Sequence, residues 1–142
     1  MGARTKARKR ALDVLYAAEL RADDPIASLD QAVADGTGPT NDYTLTLVRG
    51  VVAEQAHIDA LLAEYSRGWT LDRMPAVDRN VLRIGAWEIL YAEDVPDAVA
   101  VTEAMSLVRD LSTDESPAFV NGILDAVARH QEAPTGGPPP PP

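Results

Sequence analysis

The first twelve residues concentrate positive charge that could neutralise phosphate groups. They hold five basic side chains and no acidic one, whereas the 142-residue chain has 13 Lys and Arg against 22 Asp and Glu. Its formal net charge is −9. Because basic side chains bind the phosphates of nucleic acids, the stretch predicts a phosphate-binding segment on an otherwise acidic protein. The basic residues are Arg4, Lys6, Arg8, Lys9 and Arg10.

An aromatic residue follows this basic stretch at helical spacing. Tyr16 lies seven residues after Lys9, which places the two side chains on one face of a helix. Aromatic side chains stack on unpaired bases, and neighbouring cations hold the backbone phosphates. The combination favours nucleic acid as the ligand, and an acidic partner protein is the main alternative.

Other residues capable of chemistry form no complete site. Glu54 and His57 have the spacing of half a di-iron helix-bundle site, but His130, the other histidine, has no Glu three residues before it. The Gly-Thr-Gly at 36–38 lacks the Lys-Ser/Thr of a phosphate-binding P-loop, and no Gly-x-Ser-x-Gly nucleophile motif occurs. The absence of Cys excludes disulfides and thiolate metal ligands. The residues therefore indicate no complete enzymatic or metal site.

Helices are the elements expected to position these residues. Apolar residues recur at three- and four-residue steps, and strand-like alternation is absent. No apolar run reaches the roughly 20 residues of a membrane helix, and no secretory signal occurs, so we expect a cytoplasmic protein. Helices are predicted over about 5–21, 28–35, 43–65, 76–91, 99–111 and 116–130, with a connector before the fourth.

The last predicted helix contains an unexpected glycine. Ser116 is a suitable N-cap and Pro117 a suitable first residue, yet Gly122 follows inside the helix. Glycine there costs about 1 kcal/mol relative to Ala. Close packing of another helix, the simpler explanation, or close approach of a ligand would offset that cost.

The chain ends in a proline-rich segment, APTGGPPPPP, over residues 133–142. Such a composition cannot pack a core and predicts a disordered or polyproline tail. The sequence thus divides into one helical domain over 1–132 and this tail.

Three motifs together resemble one known family. The segments ARKRALDVLYAAEL, WTLDRMPAVDRNVLRIGAWEIL and FVNGILD, with Ser116 upstream of the last, are similar in kind and order to the NusB family of bacterial transcription antitermination factors. The resemblance covers residues 4–129. It implies an all-α fold of about six to seven helices in two roughly perpendicular subdomains.

The resemblance also implies a function. NusB-like proteins bind the boxA element of ribosomal RNA transcripts together with NusE, a small-subunit ribosomal protein. The pair joins an RNA polymerase complex that suppresses premature termination, without catalysis or cofactor. Matching residues expected to bind RNA are Arg4, Lys6, Arg8, Lys9, Arg10, Tyr16, Tyr65 and Phe119. Those expected to bind NusE are Asp78 and Arg83.

Simpler roles and other functions stay open for this chain. Tyr65 could close the core, and Arg83 could pair with Asp78 or Glu88 on its own helix. The chain could also act as a homodimeric helical interaction module. Some RNA cytosine methyltransferases carry a NusB-like domain, which gives a further alternative.

Overall fold

A computed structural model describes residues 2–67 and 69–132, which form an all-α fold with no strand among them. The predicted fold class is confirmed, whereas the proline-rich tail lies outside the described residues. The arrangement in two perpendicular subdomains stays a prediction. The helices are α1 (Ala3–Arg21), α2 (Pro25–Ala34), α3 (Asp42–Ala53), α4 (Gln55–Tyr65), α5 (Ala76–Tyr91), α6 (Asp97–Leu111) and α7 (Ser116–Glu132). A 3-10 turn over Leu71–Arg73 precedes α5.

The prediction of one long helix over 43–65 was wrong. The backbone leaves helical geometry at Glu54, with φ −108° and ψ 13°, so that α3 and α4 are separate. Val51 before the bend and Ile58 and Leu62 after it are all fully buried. A single non-helical residue leaves this apolar spacing almost unchanged, which is why the periodicity did not reveal the bend.

Helix α2 begins three residues earlier than expected. The Asp24 carboxylate accepts hydrogen bonds from the backbone N–H groups of Ile26 and Ala27, and Pro25 occupies the first helical position. Proline has no N–H to leave unpaired there and its fixed φ suits the helix. The Asp-Pro pair therefore starts this helix instead of merely interrupting the chain.

Helix α5 is the centre of the fold. It contacts α1, α3, α4, α6 and α7. A Cβ at Gly85 would lie 2.8 Å from Leu124 Cδ1, so the glycine lets α7 pack closely against α5. The surfaces of α1 and α7 are thus held in place through one shared core helix.

Within the described residues, no helix is long and apolar enough to cross a membrane.

Candidate nucleic-acid interface

The basic residues at the start of α1 do not all face solvent. Arg8 is only 4% exposed, and its guanidinium donates to Glu88 at 2.9 Å and to Glu103 at 2.9 Å. These bonds join α1 to α5 and α6. Burial lowers the pKa of Arg8, but the bonds and the charge of Glu88 raise it above its ordinary value, so Arg8 stays charged. With two carboxylates bound to it, Arg8 is not free to contact phosphate, contrary to our expectation.

A half-buried tyrosine, Tyr43, completes this ion-pair cluster. The Tyr43 hydroxyl donates to Glu88, and burial followed by that bond raises the pKa of Tyr43 well above its ordinary value. Arg4 lies over the Tyr43 ring at 4.1 Å from its centroid and pairs with Asp94 at 2.8 Å. Because the Arg4 and Asp94 side chains are 45% and 67% exposed, this outer pair can exchange one anion for another.

Lys6 and Arg10 are the free cations of the basic stretch. Both are exposed and lie one helical turn apart on one face of α1. Neither has an ion-pair partner among the described residues, whereas Lys9 pairs with Asp13 at 2.6 Å on the surface. They flank a cleft of about 350 Å³ against residues 38–41, and the described residues that line it include no acid. This face of α1 is therefore the one suited to phosphate.

A second basic surface is an aromatic cleft of about 850 Å³ between α7 and the end of α4. The Tyr65 hydroxyl and His130 Nδ1 lie 3.0 Å apart, and Trp69 contacts Phe119 edge to face, with ring centroids 6.3 Å apart. The cations that line the cleft are Arg67 and Arg129, and none of the lining residues described is acidic. The structure thus brings two expected RNA-binding residues, Tyr65 and Phe119, to one site.

Trp69 is the residue of this cleft that sequence reasoning missed. Its side chain is 55% exposed, an unusual state for tryptophan. The signal in the sequence was an aromatic residue four positions after Tyr65 in a polar connector. Tyr65 itself is half-buried, so it packs and lines the cleft at once.

A neighbouring cleft of about 450 Å³ shares Trp69 and Phe119 with the first. Its lining includes Arg73, but also Asp78 and Glu115. Phe119 therefore separates a surface without acids from one that carries two carboxylates. This second surface is less suited to phosphate.

The two residues expected to contact a protein partner point inward. Asp78 is 3% exposed and accepts hydrogen bonds from Ser112 at 2.5 Å and from Ser116 at 2.7 Å. We had expected Ser116 to be the N-cap of α7. Its hydroxyl instead fixes the start of α7 to Asp78 of α5. Each carboxylate oxygen of Asp78 thus accepts a hydrogen bond from within the protein, and the residue positions α7.

Arg83 is bound within the protein as well. It donates to Asp59 of α4 at 2.9 and 3.0 Å and reaches Glu19 of α1 at 3.5 Å. Among the described residues, Arg83 forms no ion pair with Asp78 or Glu88 of its own helix. Only 12% of the Arg83 side chain is exposed, so its main role here is to join α5 to α4 and α1.

The surface along α6 and the start of α7 carries acidic side chains that include Glu103, Asp110 and Glu115. Lys9 and Leu111 line a small cleft between α1 and α6. The chain then continues through Thr113 and Glu115 of the second cleft to Phe119 at the edge of the aromatic cleft. Tyr16 is half-buried on α1, two turns after Lys9.

The chain is similar in sequence to known proteins over most of its length. The model of one family, described as the NusB family, matches residues 5–129. A curated relative, the transcription antitermination protein NusB of Nocardioides sp., is 71% identical over 131 residues, covering 92% of this chain and 97% of that protein.

Solved structures share the fold. A structure of T. maritima NusB is 32% identical, with a TM-score of 0.80. The match covers 90% of this chain and 92% of the T. maritima chain. A crystal structure of the antitermination factors NusB and NusE in complex with dsRNA is 27% identical, with a TM-score of 0.76. That match covers 89% of this chain and 96% of the solved one.

Proposed function

The chain belongs to the NusB family, and on that premise we propose that it is a transcription antitermination factor that binds RNA together with NusE. Its RNA target is the boxA element of ribosomal RNA transcripts, and it acts in the cytoplasm by binding, without catalysis or cofactor. The observation that carries this proposal is the cleft beside Lys6 and Arg10 of α1, which has no acid among its described lining residues, on a chain with a net charge of −9.

Phosphate binding is divided among the basic residues of α1. Lys6 and Arg10 supply the main contacts because no protein carboxylate competes for them within the described residues. Arg4 and Lys9 add weaker contacts, since each must first exchange an exposed carboxylate partner. Arg8 holds α1 in position from within the core and takes no direct part.

Base contacts come from the aromatic residues. Tyr65 and Phe119 line the aromatic cleft, and Tyr16 follows the cations of α1. A stacked base contributes about 1–3 kcal/mol whatever its identity. Sequence preference for boxA therefore requires hydrogen bonds to base edges in addition to these stacks.

The acidic body of the protein attracts the basic ribosomal partner NusE. Opposite charges speed the encounter and limit wrong partners. Asp78 and Arg83 support the helices of this body without contacting NusE directly, because both side chains are engaged internally. The pair then joins the antitermination complex on RNA polymerase.

The alternative functions are less well supported. The curated relative is matched over 97% of its own length, so the similarity is to a whole NusB protein and not to one domain of a methyltransferase. A homodimer that covers the face of Lys6 and Arg10 would compete with RNA. Light scattering over a range of protein concentrations would reveal it.

The test is a titration of boxA RNA and of a scrambled RNA of equal length, with and without NusE. We expect preference for boxA that strengthens with NusE. For the variant Lys6→Ala/Arg10→Ala, the slope of log affinity against log salt should become shallower by about 1.4, because each of the two lost phosphate contacts contributes about 0.7. The matched control Arg21→Ala/Arg49→Ala removes two exposed cations elsewhere and should leave the slope unchanged.

Equal weak binding of both RNAs, unaffected by NusE, would refute the proposed function. A salt slope that is unchanged in Lys6→Ala/Arg10→Ala would instead leave the function intact but place the phosphate contacts elsewhere.

A further inference from the structure

Gly122 has no packing reason to be glycine. Among the described residues, a Cβ at this position would meet no atom within 4 Å beyond its own helix. The contrast with other helical glycines is clear, since a Cβ at Gly50 would overlap the Trp87 ring and one at Gly85 would press on Leu124. The explanation that another helix packs closely against Gly122 is therefore wrong, and an unoccupied space stands over its backbone.

That space belongs to the aromatic cleft. Gly122 is exposed in the wall that α7 contributes, one turn after Phe119, which contacts Trp69. Arg129 and His130 lie farther along the same helix and line the same cleft. A side chain at position 122 would therefore enter the cleft between its aromatic and its cationic parts.

We propose that the aromatic cleft holds one unpaired nucleotide of RNA, with its base over the Gly122 backbone against Trp69 and its phosphate at Arg129. The proposal rests on the proposed function and adds Gly122, Trp69 and Arg129 to the RNA-binding surface. The volume of about 850 Å³ lies within the range of about 300–1,000 Å³ typical of small-ligand sites.

The chemistry of the lining selects a nucleotide over a protein segment. Unpaired bases stack on aromatic side chains, and guanidinium groups bind phosphate. The cations Arg67 and Arg129 line the cleft, and no carboxylate does so among the described residues. A basic protein such as NusE would find like charge here, whereas the phosphate of a nucleotide would find its counter-charge.

The test uses substitutions that improve the helix while filling the cleft. Ala and Leu are both better helix formers than Gly, so Gly122→Ala and Gly122→Leu should raise the melting temperature by a few degrees. Both should weaken boxA RNA binding, by about threefold for Ala and by tenfold or more for Leu, because the side chain displaces the stacked base. Ala98→Leu, an exposed α6 position that lines neither cleft, is the control for an added leucine.

Fluorescence gives a second readout. RNA should quench the emission of exposed Trp69, and Trp69→Phe identifies that contribution against half-buried Trp87. Gly122→Leu should abolish the quenching although Trp69 is intact. Arg129→Gln should weaken binding and make the salt slope shallower by about 0.7.

The outcomes separate this inference from the function on which it rests. If Lys6→Ala/Arg10→Ala weakens boxA binding but Gly122→Leu binds and quenches like the wild type, the cleft proposal is overturned and the function stands. If Gly122→Leu impairs NusE binding instead, the cleft is a protein site and the proposal is overturned. If the wild type does not prefer boxA, both fail together.

Discussion

Replacement of Arg8 by Ala should damage folding and spare the phosphate contacts, which is the opposite of what its place in the basic stretch suggests. The guanidinium is bonded to Glu88 and Glu103, and Glu88 is only 1% exposed. Without Arg8, the buried Glu88 carboxylate keeps the Tyr43 hydroxyl as its partner but loses its counter-charge. An unpaired buried charge is strongly destabilising, whereas removal of both charges often is not.

The size of the effect follows from this burial. Breaking a buried ion pair costs about 3–5 kcal/mol in the free energy of unfolding. For roughly 130 ordered residues, each contributing about 2.1 cal/mol/K to the entropy of unfolding, that loss lowers the melting temperature by about 11–18 °C. A small domain has a total stability of about 5–15 kcal/mol, so most of the variant should remain folded at low temperature.

The assay combines thermal unfolding, followed by circular dichroism, with RNA titrations at 10 °C over several salt concentrations. We expect Arg8→Ala to unfold earlier but to retain the wild-type salt slope, whereas Lys6→Ala/Arg10→Ala should melt within about 2 °C of the wild type. The double variant Arg8→Met/Glu88→Gln should recover part of the lost stability, since no unpaired charge remains at position 88. A normal melting temperature together with a salt slope shallower by about 0.7 would refute the reasoning and make Arg8 a phosphate contact.

Two further predictions concern acidic residues. The hydrogen bond from Arg79 holds the pKa of Glu19 below its ordinary value of 4.5, so the stabilisation from this pair is present above about pH 4.5 and is lost as the pH falls through the lowered pKa. Urea unfolding from pH 7 to pH 3 should therefore show Glu19→Gln less stable than the wild type at neutral pH, with the difference becoming smaller as the pH falls below 4.5; a constant difference would contradict this. Glu115→Gln should tighten RNA binding by about two- to fivefold, because it removes a carboxylate beside Phe119 that repels phosphate. Asp23→Asn, at an exposed position without an ion pair among the described residues, is the matched control. Weaker binding by a folded Glu115→Gln would instead indicate a hydrogen bond from a base to Glu115.

Local signals explain which elements could be predicted from the sequence. Apolar spacing placed α1, α5 and α7 to within a few residues, and Asn41 caps α3 by accepting from the Tyr43 N–H at 2.8 Å. These features depend on residues within one or two helical turns. The bend at Glu54 escaped prediction because the buried stripe continues across it.

The candidate site was predictable in its location and less so in its roles. A basic start and three aromatic residues were visible as residue types, and two of those aromatics do meet in one cleft. Asp78 and Arg83 were assigned to a partner by resemblance, but their hydrogen bonds serve the packing of α7 and α4. A titratable side chain can contact a ligand or hold a helix, and residue type does not distinguish these roles.

The sequence by itself determined the helices, the acidic balance and the concentration of cations at one end, because those properties are carried by neighbouring residues. Only the tertiary structure decided which cations remain free, since the partners of Arg8 lie 80 and 95 residues away in the chain. It also decided the meaning of Gly122: the sequence shows that glycine is costly inside a helix, but only the packing of other helices shows whether its backbone is covered. Burial and charge pairing are long-range properties, and they separate a structural residue from a binding one.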